Sequence, residues 1–122
     1  MLFRSPELLD VDLYIVGHHG SYNGTTSELL KRLTPQVAVM SAGKKQPQTR
    51  FSAYGYGHPR QVTVERLEED VSGSRVKRNV YVMPAPHIYR DWVAMKAIYC
   101  TCWEGDVVIQ LDQTGFHTLM PQ

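Results

Sequence analysis

The sequence predicts an α/β fold, a mixed sheet with helices on one face, from three observations. Residues 12–17 (DLYIVG) and 36–41 (QVAVMS) are short apolar runs rich in strand formers, with a helical stretch between them. A second helical stretch opens at Pro59-Arg60. From Val80 onward, apolar runs alternate with turn residues. Strand, short helix, strand is a βαβ unit, which makes the first two strands parallel neighbours.

Taken in order, Asn23-Gly24 is a turn signal after the first strand. Thr25-Thr26-Ser27-Glu28 fits a capping box in which Thr25 and Glu28 satisfy each other's amides. Leu29, Leu30 and Leu33 then form one apolar stripe, and Thr34-Pro35 stops the helix. Residues 43–58 have no period, hold Gly, Pro, Lys and Arg, and read as a long loop of the kind that carries function. In the helix after Pro59, Val64 and Leu67 face inward and Ser72-Gly73 ends the run. Val80–Met83 reads as a strand broken by Pro84-Ala85-Pro86. Residues 97–103 and 106–111 read as a hairpin turning at Glu104-Gly105, and Gln113-Thr114-Gly115 turns into a last strand, Phe116 to Leu119.

The chain has 122 residues, 43% hydrophobic and 20% charged, the size and composition of one globular domain. Its net charge of +1 supplies no global field toward nucleic acid or membrane. The absence of an apolar run of about 18 residues predicts no transmembrane helix and no membrane partner. Arg4, Glu7 and Asp10 interrupt any signal-peptide core in the first ten residues. Cys100 and Cys102 are the two cysteines, spaced C-x-C on an expected strand where a bridge would be strained, so two reduced thiols and a cytoplasmic location are expected.

Chemistry concentrates on histidine. His18 and His19 lie beyond the carboxyl end of the first strand, where α/β sheets bind ligands. On an extended chain, successive side chains point opposite ways, so one of the pair at most is expected to face a given cleft. Gly20 allows close backbone approach and Ser21 adds a hydroxyl. His58 ends the long loop after the second strand, on the same rim if the strands are parallel. Imidazole is both the commonest metal ligand and the usual acid or base near neutral pH. The bland alternative is a set of buried, hydrogen-bonded histidines. His87 and His117 are read as structural, and none of Asp12, Asp70, Asp106 and Asp112 is placed as a ligand. Lys44, Lys45, Arg50 and Arg60 flank His58 and could meet phosphate groups, or form a solvated basic loop.

These residues together resemble a family. "VDLYIVGHHGS", "TTSELLKRLTPQVAVMSAG", "AYGYGHPR" and "IYCTCWEGDVVIQLDQTG", in that order from about Leu9 to Gly115, are similar to the C-terminal half of metallo-β-lactamase-fold domains related to the competence protein ComEC. The resemblance implies the C-terminal half of an αββα sandwich hydrolase holding one or two divalent metals, zinc or manganese. It assigns His58 as a metal ligand, His18 and His19 as catalytic residues near the leaving group, and Gly20 and Ser21 as the substrate-binding loop of that rim. Lys44, Lys45 and Arg60 are read as substrate-binding from their place beside His58. The family's His-x-His-x-Asp-His motif is not in this sequence. The expectation is therefore a single partial domain over residues 1–122, lacking the N-terminal metal-motif half.

Two functional readings follow from the resemblance, and a third sets it aside. One is a fragment of a metal-dependent hydrolase acting on a phosphodiester or nucleic-acid-like substrate. The second is a non-catalytic half-domain or binding module, completed by a homodimer partner or by a separate N-terminal half. The third is an unrelated α/β domain with histidines in its core.

Overall fold

The computed structural model of the chain describes residues 10–119; the signal-peptide reading of the first ten residues falls outside it except at Asp10. Its centre is a three-stranded parallel sheet in the order β1 (Leu13–Ile15), β2 (Val37–Met40), β5 (Ile98–Cys100). Leu13 pairs with Val37 and Ile15 with Val39, while Ala38 pairs with Ile98 and Met40 with Cys100. The parallel β1–β2 pair is the one expected from the βαβ pattern. Val37, Ala38 and Met40 of the central strand are fully buried, as an apolar run covered on both faces should be. The edge strand β1 is less enclosed, and Ile15 is 62% exposed.

Helix α1 (Ser27–Leu33) buries Leu30 and packs on α3 (Gln61–Asp70), which buries Thr63, Val64 and Leu67. The expected Thr25–Glu28 capping box does not form, because the helix starts one residue later and places Leu29, which has no carboxylate, at the third position. Thr26 is the N-cap, accepting from the Leu29 amide at 3.1 Å, and Thr25 is buried instead with its hydroxyl 2.9 Å from that of Tyr14. The long loop is not featureless, since it contains a single-turn helix α2 (Ala53–Tyr56) capped by Ser52.

The larger departure is a long antiparallel ribbon, β3 (Ser74–Ala85) with β4 (Ile88–Lys96). The first half of β3 is largely exposed on both faces, so it carries no apolar alternation to read. Pro84 lies inside β3 rather than breaking it, at a register shift between Val82 and Ala85 where its missing N–H is not needed. The expected 97–103 strand is shortened to β5, and its hairpin with 106–111 does not form. The chain leaves the sheet at Cys100 and turns into α4 (Thr101–Glu104) because the Thr101 hydroxyl bonds both the amide and the carbonyl of Ala42, at 3.0 and 2.9 Å. That turn brings Cys100 and Cys102 to 5.1 Å between Cα atoms, shorter than the ~6.6 Å of an extended strand, and the two are joined as a disulfide rather than standing as reduced thiols. Strand β6 (Ile109–Asp112) pairs instead with β7 (Gly115–Thr118) across the expected Gln113-Thr114 turn.

The molecule is thus mixed α/β, but its parallel and antiparallel strands form separate small sheets rather than one mixed sheet. The core joins the parallel sheet, Leu30, Leu67, the Val80–Met83 segment of β3 and Trp103. No helix among the described residues is long and apolar enough to cross a membrane.

Candidate functional site

Because β1 and β2 run parallel, the segments that follow them emerge at the same edge of the sheet. The chain after β1 does not stay extended. His18, His19 and Gly20 all have positive φ, at 56°, 56° and 80°, and form a tight left-handed turn in which the Ser21 amide donates to the His18 carbonyl at 2.9 Å. Two adjacent histidines in this left-handed region cost of order 1–3 kcal/mol each, a strain that surrounding contacts must hold in place. The contacts are specific. The Arg60 amide donates to the Gly20 carbonyl at 2.9 Å, and the buried Thr63 hydroxyl donates to the Ser21 carbonyl at 2.9 Å. A side chain at Gly20 would meet the Met40 sulfur at 3.0 Å and Pro59 at 3.2 Å.

This turn overturns the expectation that only one imidazole faces the cleft. Both His18 and His19 line one pocket of about 520 Å³ with His58, Tyr56 and Phe51. The His58 ring centroid lies 6.4 Å from that of His18 and 6.2 Å from that of His19. His19 Nδ1 is 2.7 Å from the Ser41 carbonyl, which only accepts, so Nδ1 carries the proton and neutral His19 presents an Nε2 lone pair. His18 Nδ1 is likewise fixed, 3.0 Å from Asn23 Oδ1, which also accepts from Ser21 Oγ at 2.7 Å. Backbone or side-chain acceptors behind an imidazole are the usual way a protein aims its other nitrogen. His58 is half-buried, with Tyr56 stacked on its other side at 5.9 Å. Burial, then the neighbouring His19, Arg60 and His18, holds its pKa below the ordinary histidine value.

The remaining sequence candidates scatter. Gly20 is buried against Pro59 and Met40, and Ser21 is buried with its hydroxyl turned to Asn23, so both shape the turn from behind. Arg60 turns its guanidinium to the Gly57 and Tyr56 carbonyls, at 3.1 and 3.2 Å, closing the end of α2. Lys45 leaves the site and lies over the Tyr89 ring at 3.9 Å, while Lys44 is exposed. Sequence reasoning missed Asn23, the Ser41 carbonyl and the aromatic pair Phe51 and Tyr56. The dense aromatic and glycine run before His58 was the one available signal for that pair.

The residues present do not by themselves complete a metal centre. Among the described residues, no group of three or more His, Cys, Asp or Glu side chains is placed to hold an ion. The three imidazoles suit zinc better than manganese, which prefers oxygen donors, and no carboxylate joins them in the pocket.

Comparison with known proteins places one relative beside this chain. No protein-family model matches it, and no solved structure matches it significantly. The chain is similar to ComE operon protein 3 of Bacillus subtilis (strain 168), 35% identical over 91 residues, a match covering 75% of this chain. It spans about 10% of the length of that protein, so the similarity concerns a small segment of a much longer chain.

Proposed function

We propose that the chain contributes one wall of a phosphodiester-hydrolysing site of the ComEC-related type, with a competence-related role. The observation that supports this most is the convergence of His18, His19 and His58 on one pocket at the carboxyl edge of the parallel sheet. The similarity to ComE operon protein 3 agrees with the resemblance carried by the motifs.

In this reading His18 and His19 handle protons. Each has its Nδ1 occupied, so Nε2 is the nitrogen available to take a proton from water or return one to the leaving oxygen. Partial burial and two neighbouring imidazoles lower the His58 pKa, which favours the neutral state that accepts a proton or ligates a metal. A divalent ion, zinc or manganese, would supply a nucleophilic hydroxide and charge stabilisation once the rest of its ligands are provided. Those ligands have to come from outside the described residues of this chain.

The test is hydrolysis of thymidylyl-thymidine, with added zinc or manganese, by the chain mixed with a separately expressed N-terminal half of a metallo-β-lactamase-fold domain, wild type beside His18→Ala, His19→Ala and His58→Ala. Loss of either proton-handling histidine should lower the rate about 10²–10⁴-fold. Hydrolysis absent from the wild type, or equal in all four proteins, rejects the catalytic reading.

The lack of a carboxylate in the pocket favours a second reading, a non-catalytic half-site that a partner chain or second copy completes. Elemental analysis after dialysis against zinc, read beside hydrolysis, separates the two. Metal bound when a complementing chain is added and lost in His58→Ala, with no hydrolysis by the complemented chain, selects the half-site.

A further inference from the structure

Two aromatic rings stand in the open at the rim of the histidine pocket. Phe51 is 75% exposed and Tyr56 is 51% exposed, and both line the pocket directly. Their centroids lie 6.5 Å apart at 49°, and Tyr56 in turn stacks at 19° on His58. The Arg50 guanidinium sits 5.3 Å from the centre of the Phe51 ring. Scattered exposed apolar residues need no explanation, but two neighbouring aromatic rings left uncovered at a pocket mouth do. They are held there by design of the loop. Ser52 caps α2 by accepting from the Gly55 amide at 3.2 Å, and the Tyr54 hydroxyl donates to the His87 carbonyl at 2.6 Å, fixing the turn that carries both rings.

We infer that Phe51 and Tyr56 form a stacking subsite for a planar heteroaromatic ring, a nucleobase, attached to the phosphodiester presented to the histidines. The inference rests on the proposed phosphodiester reading and assigns the residues that would hold the base. Flat faces, a flanking guanidinium and an adjacent set of imidazoles make a sequence-tolerant platform, since every base offers a π-face. The pocket volume of about 520 Å³ falls in the range that takes a ligand of this size. Phe51 has its ring contact with Tyr56 and none with His18, His19 or His58, so its stacking is separable from the histidines. Tyr56 both stacks the base and backs His58.

The experiment is a calorimetric titration of the 122-residue chain with tetrathymidylate and with an abasic tetranucleotide of the same length and phosphate count. Wild type should prefer the base-bearing strand. Phe51→Ala should weaken binding of that strand by roughly 5- to 150-fold and leave the abasic strand unchanged. Phe51→Trp should restore the preference, and Arg50→Ala should weaken both strands alike. Equal affinity of the wild type for the two strands, no binding of either, or a preference that survives Phe51→Ala overturns the subsite. Hydrolysis is a separate readout. Base-dependent binding without hydrolysis by the complemented chain removes the catalytic proposal and leaves the subsite standing, whereas hydrolysis lost in His58→Ala but indifferent to Phe51 does the reverse.

Discussion

A proton added to His58 enters a half-buried ring that already faces His18, His19 and Arg60, so the folded chain resists it. Its pKa is lowered, first by burial and then by these neighbours, which fixes the sign of its effect on stability. Above the unfolded value of 6.5 the contribution is intact; as pH falls through the lower folded value, the unfolded chain takes up the proton preferentially and stability is lost. Denaturant titrations from pH 7.5 to 4.5 should show a shallower acid limb for His58→Gln than for wild type. In imidazole NMR titrations, His19→Asn should move the His58 midpoint up yet leave it below 6.5, because burial is the larger cause. Gly20 gives a second test. With φ at +80° and Met40 and Pro59 against it, Gly20→Ala should cost about 1–3 kcal/mol in chemical denaturation and distort the histidine turn. The positions of His18, His19 and His58 were legible in the sequence. Their shared orientation was not, because a left-handed turn through two non-glycine residues leaves no composition signal and is imposed by Arg60, Thr63 and Pro59 from distant sequence.

At the scale of elements, what the sequence displayed was what each element buried locally. The β1–α1–β2 unit and α3 were readable because Leu30, Val37, Val64 and Leu67 repeat at strand or helix spacing. The β3–β4 ribbon and α4 were not, since tertiary partners hold them. Arg75 and Arg78 of β3 reach Glu104 of α4 at 2.6 and 2.9 Å, and the Arg75–Glu104 pair is almost fully enclosed, at 7% and 5% side-chain exposure. Arg75 also donates to the Ile98 carbonyl at 3.0 Å and faces the Tyr99 ring, so one side chain ties the ribbon to β5 and α4 together. Glu104→Gln removes the charge that this buried guanidinium requires. It should destabilise the chain by about 3–5 kcal/mol, whereas Arg78→Ala, whose partner arginine remains and whose own side chain is half-exposed, should cost under about 1 kcal/mol. Thermal or urea unfolding of the two variants side by side checks the contrast. Equal effects would mean that the pair does not organise α4.

For the molecule as a whole, stability is unevenly spread. Strands β2 and β5 are buried almost throughout, while β6 and β7 bury none of their residues completely. Amide hydrogen exchange should therefore be slowest in β2 and β5, intermediate in the Val80–Met83 part of β3, and fast throughout β6–β7. Protection of β6–β7 equal to that of β2 would contradict this ordering. The mixed α/β class was readable because the βαβ pattern is local, but the division into separate sheets was not, since strand pairing over long separations is decided by packing rather than by period.

The strand order carries a consequence for how the chain is made. β2 lies in the middle of its sheet, and its second neighbour, β5, is separated from it by residues 41–97. At roughly 5–20 residues per second, a ribosome takes about 3–11 s to supply that neighbour. For that interval the nascent chain holds Val37-Ala38-Val39-Met40 with one edge unpaired, an apolar edge of the kind that joins other chains. Translation that stops before Cys100 would leave the edge open permanently, and nascent fragments of that length would be the ones that depend on a chaperone to stay apart.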